Sequence, residues 1–329
     1  MVASMLNNMA ARGGRWAMGA VAGVAFLFAA GTGSAQQGGA KLAVVQVRPN
    51  FYMIAGAGAN IGVQIGSDGV VLVNTGTKEA SADVMAAIRE LTKAPIRYII
   101  NTSGDADVLG GNATFNSSSV LHIAAHEDAL KAASAPTGQT SLLPADAWPN
   151  EAFFGERKYV FFNGEGIEIF HVPSARSDGD VVVFFRRSDV VVAGIVLDDT
   201  RFPVIDLAHG GSIKGEINAL NRLIELAIPP GPMVGTPPVG IALSEMPGGT
   251  EVVSGRGRIY RQLDLVEYRD MIVIIRDTIK CYIDQKKTLE QIQAAAPAKA
   301  WEGRFGATSG PWTTQQFVAA VYQSLMKEK

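Results

Sequence analysis

Apolar residues along the chain cluster in short runs over the first two thirds and take up helical spacing over the last third. Runs at 41–47, 51–55, 61–65 and 70–73, broken by Gly and Asn, predict four strands, with Ser67-Asp68-Gly69 as the turn between the last two. Val84, Ile88 and Leu91 then recur at helical spacing until Pro95 stops the helix, and 96–100 reads as a buried strand. A strand at 119–124 and a helix at 127–133 lead into a Pro- and Ser-containing loop over 135–149. Further strands are expected at 158–162, 167–171, 181–185 and 190–195, and Ser212 is placed to cap a helix over 213–226. Residues 228–250 are rich in Pro and Gly and read as a surface loop. Beyond it, Leu265, Tyr268, Ile272, Ile275, Ile279 and Tyr282 fall on one helical face, and Thr288 with Gln291 and Thr313 with Gln316 have capping-box spacing. Strands alternating with helices, without an internal repeat or a long linker, predict one layered domain over 36–329 with helices covering sheet faces.

The first 35 residues break this pattern. Arg12 and Arg15 precede an apolar stretch over 16–30, and Ser34-Ala35 before Gln36 resembles a signal-peptidase site. The stretch is shorter than the ~20 residues a membrane span needs, so 1–35 is expected to be a signal peptide and the mature chain periplasmic or secreted. An oxidising compartment permits disulfides, but Cys281 is the only cysteine, and its helical neighbours predict a core thiol. Of the 329 residues 47% are hydrophobic, enough to bury a sizeable core, and a net charge of −2 gives no electrostatic case for nucleic-acid binding.

The stretch Tyr98-Ile99-Ile100-Asn101-Thr102, followed by Gly110-Gly111-Asn112, resembles the metallo-β-lactamase superfamily at its most diagnostic point. There a strand ends in Asn-Thr, runs into a His-x-His-x-Asp-His loop and closes on a Gly-Gly-Asn turn. The similarity continues through the Gly-rich 56–76, through 171–180, through 202–212 with Gly210-Gly211-Ser212, and through Ser254-Gly255-Arg256-Gly257, where the family has Pro-Gly-His-Gly. The resemblance implies an α/β fold, a four-layer αββα sandwich with an extended helical C-terminus. In working members, histidines and aspartates hold one or two metal ions that activate water and polarise the scissile bond.

The residues at those positions differ in this chain. Ser103 corresponds to the first motif histidine, Asp105 to the second and Val108 to the last, while the motif aspartate is kept as Asp107. Arg176 stands for the next ligand histidine, Ile195 for the bridging aspartate, Arg256 for the final histidine, and Asn74 for an upstream aspartate that orients ligands. Valine and isoleucine offer no lone pair, and a guanidinium repels a cation. The resemblance therefore implies a metal-free site, with no cofactor, in a catalytically impaired relative.

Three readings of the altered pocket remain at this stage. Arg176 and Arg256 pair with Asp105 and Asp107 and fill the pocket, which satisfies otherwise costly carboxylates. Alternatively the arginines stay open, and Ser103, Asp105, Asp107, Arg176, Arg256 and Asn74 line a site for a small anionic ligand or a periplasmic protein partner. The third reading is a hydrolase with an altered metal site or none, its base drawn from Asp105, Asp107 or His171. The remaining histidines, His122, His126 and His209, read as hydrogen-bonded structural residues, and Asp178, Asp180, Asp198 and Asp199 as solvated acidic loops.

Overall fold

The computed structural model describes residues 42–116, 120–134, 140–141, 143–231 and 248–328. The expected leader over 1–35 and the interior of the 228–250 loop lie outside the described residues.

The first sheet takes its strands in chain order: β1 (Ala43–Arg48), β2 (Phe51–Ala55), β3 (Ile61–Gly66), β4 (Gly69–Val73), β5 (Ile96–Ile100), β6 (His122–His126) and β7 (Glu151–Phe153). Hairpins make β1 to β4 antiparallel, and crossovers make β4 to β7 parallel. The apolar run in β4, and that in β5 interrupted only by the half-buried Arg97, follow from this, since parallel strands are covered on both faces. The helix α1 (Ser81–Leu91) lies in the β4–β5 crossover, and the short α2 (Ala106–Leu109) and α3 (Asn112–Phe115) follow β5. The helix α4 (Glu127–Ala133) joins β6 to the segment before β7.

The second sheet runs β13 (Ile259–Tyr260), β12 (Glu251–Val253), β11 (Val190–Val192), β10 (Val181–Phe185), β9 (Glu165–His171), β8 (Arg157–Phe162). Its helices are α5 (Ile213–Leu226), α6 (Gln262–Asp284), α7 (Leu289–Ala294), α8 (Glu302–Phe305) and α9 (Thr314–Lys327).

Three apolar layers hold the four structural layers together. Ile54, Val63, Leu72 and Ile99 pack against Val84 and Ile88 of α1. Phe51, Val71, Val73 and Ile100 of the first sheet meet Ile167, Ile169, Val181 and Val183 of the second. Val182 and Val191 on the opposite face meet Leu220 and Leu223 of α5, Ile272 and Ile275 of α6 and Phe317 of α9. This is the αββα sandwich that the resemblance implies. Alternate residues of one strand face different layers, so a one-residue slip of β4 or β10 would exchange both interfaces. A buried polar clip also joins the sheets: Gln64 Nε2 donates to Glu165 at 2.5 Å, and Glu165 further accepts from Ser188 Oγ at 2.7 Å.

Expected capping forms as its spacing predicts. Ser212 accepts from Gly215 N, and both Thr288–Gln291 and Thr313–Gln316 make reciprocal capping boxes. Four differences from expectation stand out. The strand expected at 190–195 ends at Val192, because the chain turns at Gly194 (φ +61°), where a Cβ would meet Thr102 at 2.7 Å. The strand expected at 119–124 is at His122–His126. Strands β7, β12 and β13, of three, three and two residues, carry too few positions to show alternation. Cys281 is exposed on α6 rather than a core thiol, because it sits between the buried Ile279 and Ile283 on the helix's outer side. Among the described residues no helix is long and apolar enough to cross a membrane.

The ring of Phe202 is 1% exposed and stacks on Phe317 at 4.8 Å between centroids, joining the segment after β11 to α9. Truncating it leaves a cavity among the rings of Phe305 and Phe317. Phe202→Ala is expected to lower unfolding free energy by about 3–5 kcal/mol, read as a lower urea midpoint at unchanged slope. A loss below about 1 kcal/mol would show that the C-terminal helices do not brace the sandwich.

Candidate functional site

The loops that follow the strands meet at one edge of the sandwich, and backbone bonds fasten them before any side chain is considered. The loop after β5 is held from below by Thr75 N on the Val108 carbonyl (2.8 Å) and Ala59 N on the Asp107 carbonyl (3.0 Å). Asn74, just past β4, has φ +70°, a left-handed conformation that Asn tolerates. Its Oδ1 accepts from Thr102 N at 3.0 Å and Thr102 Oγ1 at 2.9 Å, and its Nδ2 donates to the Asn60 carbonyl at 3.2 Å. Asn74 is fully buried. It therefore latches three loops together, and the amide supplies both the donor and the acceptors that this needs. The loop between β9 and β10 is held by Asp206 N on the Arg176 carbonyl at 2.8 Å. A Cβ at Gly211 would come within 2.0 Å of that same oxygen, so only glycine fits there.

Four of the expected pocket residues come together in pairs. Arg176 donates to Asp105 through both arms of its fork, NH1 at 2.6 Å and NH2 at 2.7 Å. Arg256 donates through NH2 to Asp107 and through NH1 to Asp198 at 2.9 Å. Asp198 also accepts from Thr200 N (2.9 Å) and Thr200 Oγ1 (2.5 Å) and forms an ion pair with Arg201 Nε at 3.3 Å. Ser103 Oγ donates to Asp105 at 2.8 Å. The side chains of Arg176 and Asp105 are only 16% and 27% exposed, which shields this bidentate pair better than a surface pair. Burial works against the charge on Arg176, but Asp105, Asp180 and Asp206 outweigh it and raise its pKa. Val108 and Ile195 lie in an apolar cluster with Ala59, Leu109 and Ala147.

Beneath these pairs lie carboxyls that sequence reasoning placed in water or passed over. Asp180 and Asp198 are 1% and 2% exposed, which corrects the expectation of solvated acidic loops there. Burial pushes the Asp180 carboxyl up to about 7, against the pull of Arg176 and of Ser177 N, which donates to it at 2.5 Å. Glu216 of α5 is fully buried, neither of its oxygens has a partner among the described residues, and burial, then Asp180, raises its pKa well above the carboxylate range. A neutral carboxyl is the form that can be buried there. The signal is present in the spacing: Glu216 falls with Ile213, Ile217 and Leu220 on the apolar face of α5, where a charged residue is out of pattern.

His171 stands apart from Asp105 and Asp107 in its bonding. Its Nε2 is 2.6 Å from the Asp178 carbonyl, and its ring stacks on that of His126 at 3.6 Å between centroids with 11° between planes. Burial, then His171, lowers the pKa of His126, so the pair is stacked with His126 neutral. His126, Asp128 and His171 are the cluster of ligand-type donors found among the described residues, their atoms within 4.8 Å of one another. An imidazole binds a metal in its own ring plane at about 2.0–2.1 Å. Two nearly parallel rings share no such point, so the stack would have to open before both could bind one ion. His122 pairs with Glu151 at 3.2 Å and His209 with Asp206 at 2.7 Å, the structural roles expected of them.

The sequence model of the metallo-beta-lactamase superfamily matches residues 55–229, more than half of the chain. The chain belongs to that superfamily. Solved structures agree on the fold. A metallo-beta-lactamase from Pontibacter korlensis superposes with a TM-score of 0.54 at 16% identity, covering 70% of this chain and 99% of its own. The sec-alkylsulfatase Pisa1 from Pseudomonas sp. gives 0.58 at 15% identity over 86% of this chain, which spans half of that protein's length. The metallo-beta-lactamase DIM-1 gives 0.52 at 14% identity, covering 70% of this chain and 97% of its own. No curated protein matches the chain. In this superfamily member the matched segment carries Asp105, Asp107, Arg176 and Asp198, while Arg256 and the C-terminal helices lie beyond it.

The raised pKa of Asp180 gives a pH test. Below its ordinary 3.8 the carboxyl is protonated folded or unfolded. Between there and about 7 only the folded chain keeps the proton, so stability falls as pH rises, and above about 7 the cost is complete. Asp180→Asn cannot titrate and keeps the acceptor for Ser177. Its stability advantage over the parent is expected to grow between pH 4 and 7 by on the order of 2–4 kcal/mol, then level off. A difference flat with pH in denaturant titrations would show that Asp180 is ionised in the folded chain.

Proposed function

We propose that this superfamily member is an exported, catalytically impaired protein that works by binding, to a small anionic ligand or a partner protein, and that its metal pocket is filled by an ion-pair lattice. The observation that carries the reading is the double fork, Arg176 on Asp105 and Arg256 bridging Asp107 and Asp198.

The residues at the zinc-ligand positions do not fit the ion. Both carboxylates that remain, Asp105 and Asp107, already accept from guanidiniums, and Val108 and Ile195 supply only hydrocarbon. Arg176, Arg201 and Arg256 stand against Asp105, Asp107 and Asp198, so charge is balanced by side chains alone. The forks also leave neither pocket arginine open, which favours a filled pocket over an anion site at that spot. A hydrolase built on His171 finds less support, because its Nε2 is engaged by the Asp178 carbonyl and its face by His126.

Elemental analysis of the tag-free mature protein, beside a hydrolysis screen of esters, lactams and thioesters, tests the reading. Less than 0.1 zinc per chain, as an order of magnitude, and no turnover are expected, with or without added Zn²⁺. Stoichiometric zinc, or turnover lost on Asp107→Asn, would overturn it.

A further inference from the structure

On the helix-covered side of the second sheet, at its β8 edge, an open cleft of ≈ 310 Å³ lies between β8, β9 and α5. It is separate from the double fork, although the loop carrying Arg176 forms one of its rims. Phe170, 3% exposed, forms part of its lining. Two guanidiniums stack on that one ring: the Arg222 carbon is 4.4 Å and the Arg157 carbon 4.9 Å from its centroid. The two cations are therefore no farther apart than the sum of those distances. Like charges do not gather without a reason, and stacking on an aromatic face holds each one in place while leaving its in-plane N–H groups pointing away from the ring.

Arg157 is engaged by the Tyr159 side chain, and the carboxylates of Glu168 and Glu156 lie near enough to favour its charged form. Arg222 gives NH1 to the exposed Glu225 at 3.0 Å and makes no other hydrogen bond among the described residues. The exposed Asn218, one turn before Arg222 on α5, adds an amide to the same cleft, and His171 closes its inner end. Glu156 is the one carboxylate among its lining residues. Among the lining residues two arginines stand against one carboxylate, and the cleft has the volume of a small metabolite-sized ligand.

We propose that this cleft binds a small molecule through an oxyanion, a carboxylate or a phosphate, held between Arg157 and Arg222. The inference rests on the binding half of the reading above and gives it a place other than the filled pocket. A planar fork pairs with two oxygens of such a group at once, a match that a single-atom anion such as chloride does not offer.

Isothermal titration of the mature protein with inorganic phosphate, phenyl phosphate and benzoate, at ionic strength held constant with NaCl, tests it. Saturable binding of at least one probe is expected, and Arg157→Gln and Arg222→Gln should each weaken it about tenfold. Lys280→Gln, an exposed charge change on α6, should leave it within about twofold. Binding of phosphate or phenyl phosphate assigns a phosphate group, and binding of benzoate alone assigns a carboxylate. No saturable binding by any probe, or binding equal in the parent and both arginine variants, overturns the proposal. Melting curves of the two variants, Arg157 exposed and Arg222 half-buried, check that they fold. Metal content is measured apart from these titrations, so the cleft can fail while the filled pocket stands, and the reverse.

Discussion

Arg256 forms the contact on which the site's architecture turns. It reaches across the edge of the sandwich from the segment after β12, and its two arms hold Asp107 of the first sheet's loop and Asp198 of the second's. An αββα sandwich is sealed along its length by interlocking apolar faces, but its loop edge carries many carboxylates and little hydrocarbon. Something cationic has to stand there. Where a metal does so, several side chains surrender lone pairs to one ion. Here guanidiniums stand between the carboxylates, and each arm satisfies its partner directly. The same constraint explains the neutral carboxyls below. With the guanidiniums already matched by Asp105, Asp107 and Asp198, a further buried negative charge at Asp180 or Glu216 has no full counterpart, and both are pushed toward protonation.

A filled pocket changes what the surrounding residues are for. Asn74 illustrates it. An aspartate at such a position can orient metal ligands; the amide here joins Thr102 to Asn60 and leaves no charge behind. Ser103 likewise spends its hydroxyl on Asp105. Asn74 and Ser103 both spend their polar groups on internal hydrogen bonds, and a buried lattice is retained or lost as a unit. Removing one member would strand its partner at a cost that replacing both would avoid.

Much of this was legible before any coordinates. Strands such as Phe51–Ala55, Ile96–Ile100 and Val181–Phe185, and helix Ile213–Leu226 with its Ser212 cap, fall at their expected places because local pattern and burial agree there. The pairing of Arg176 and Arg256 with Asp105 and Asp107 was one of the open alternatives, carried by family resemblance rather than by spacing. What escaped were features set by tertiary contact alone. Asp198 is adjacent in sequence to Asp199 and was read with it, yet it is enclosed and serves Arg256, a partner 58 residues away. The stack of His126 on His171 unites the end of β6 with the end of β9, and no sequence interval between them encodes it. Cys281 shows the reverse error, a helical position whose face was misjudged by one step.

The loop between β9 and β10 links the two regions in one segment. It begins at His171, beside the arginine-lined cleft, carries Arg176 to Asp105, and returns to the sheet at Asp180. His171 is tied to its far side through the Asp178 carbonyl, and Asp178 N donates to His209 O at 2.9 Å, so the loop is closed on itself and on the next segment. A segment held this way moves as a body or not at all, because freeing one end breaks bonds at the other. An anion in the cleft would meet one end of that body, while the other end is pinned by a bidentate ion pair. The ion pair that holds Arg176 thereby also stiffens the rim of the neighbouring cleft, and a stiff rim lowers the ordering cost of binding there.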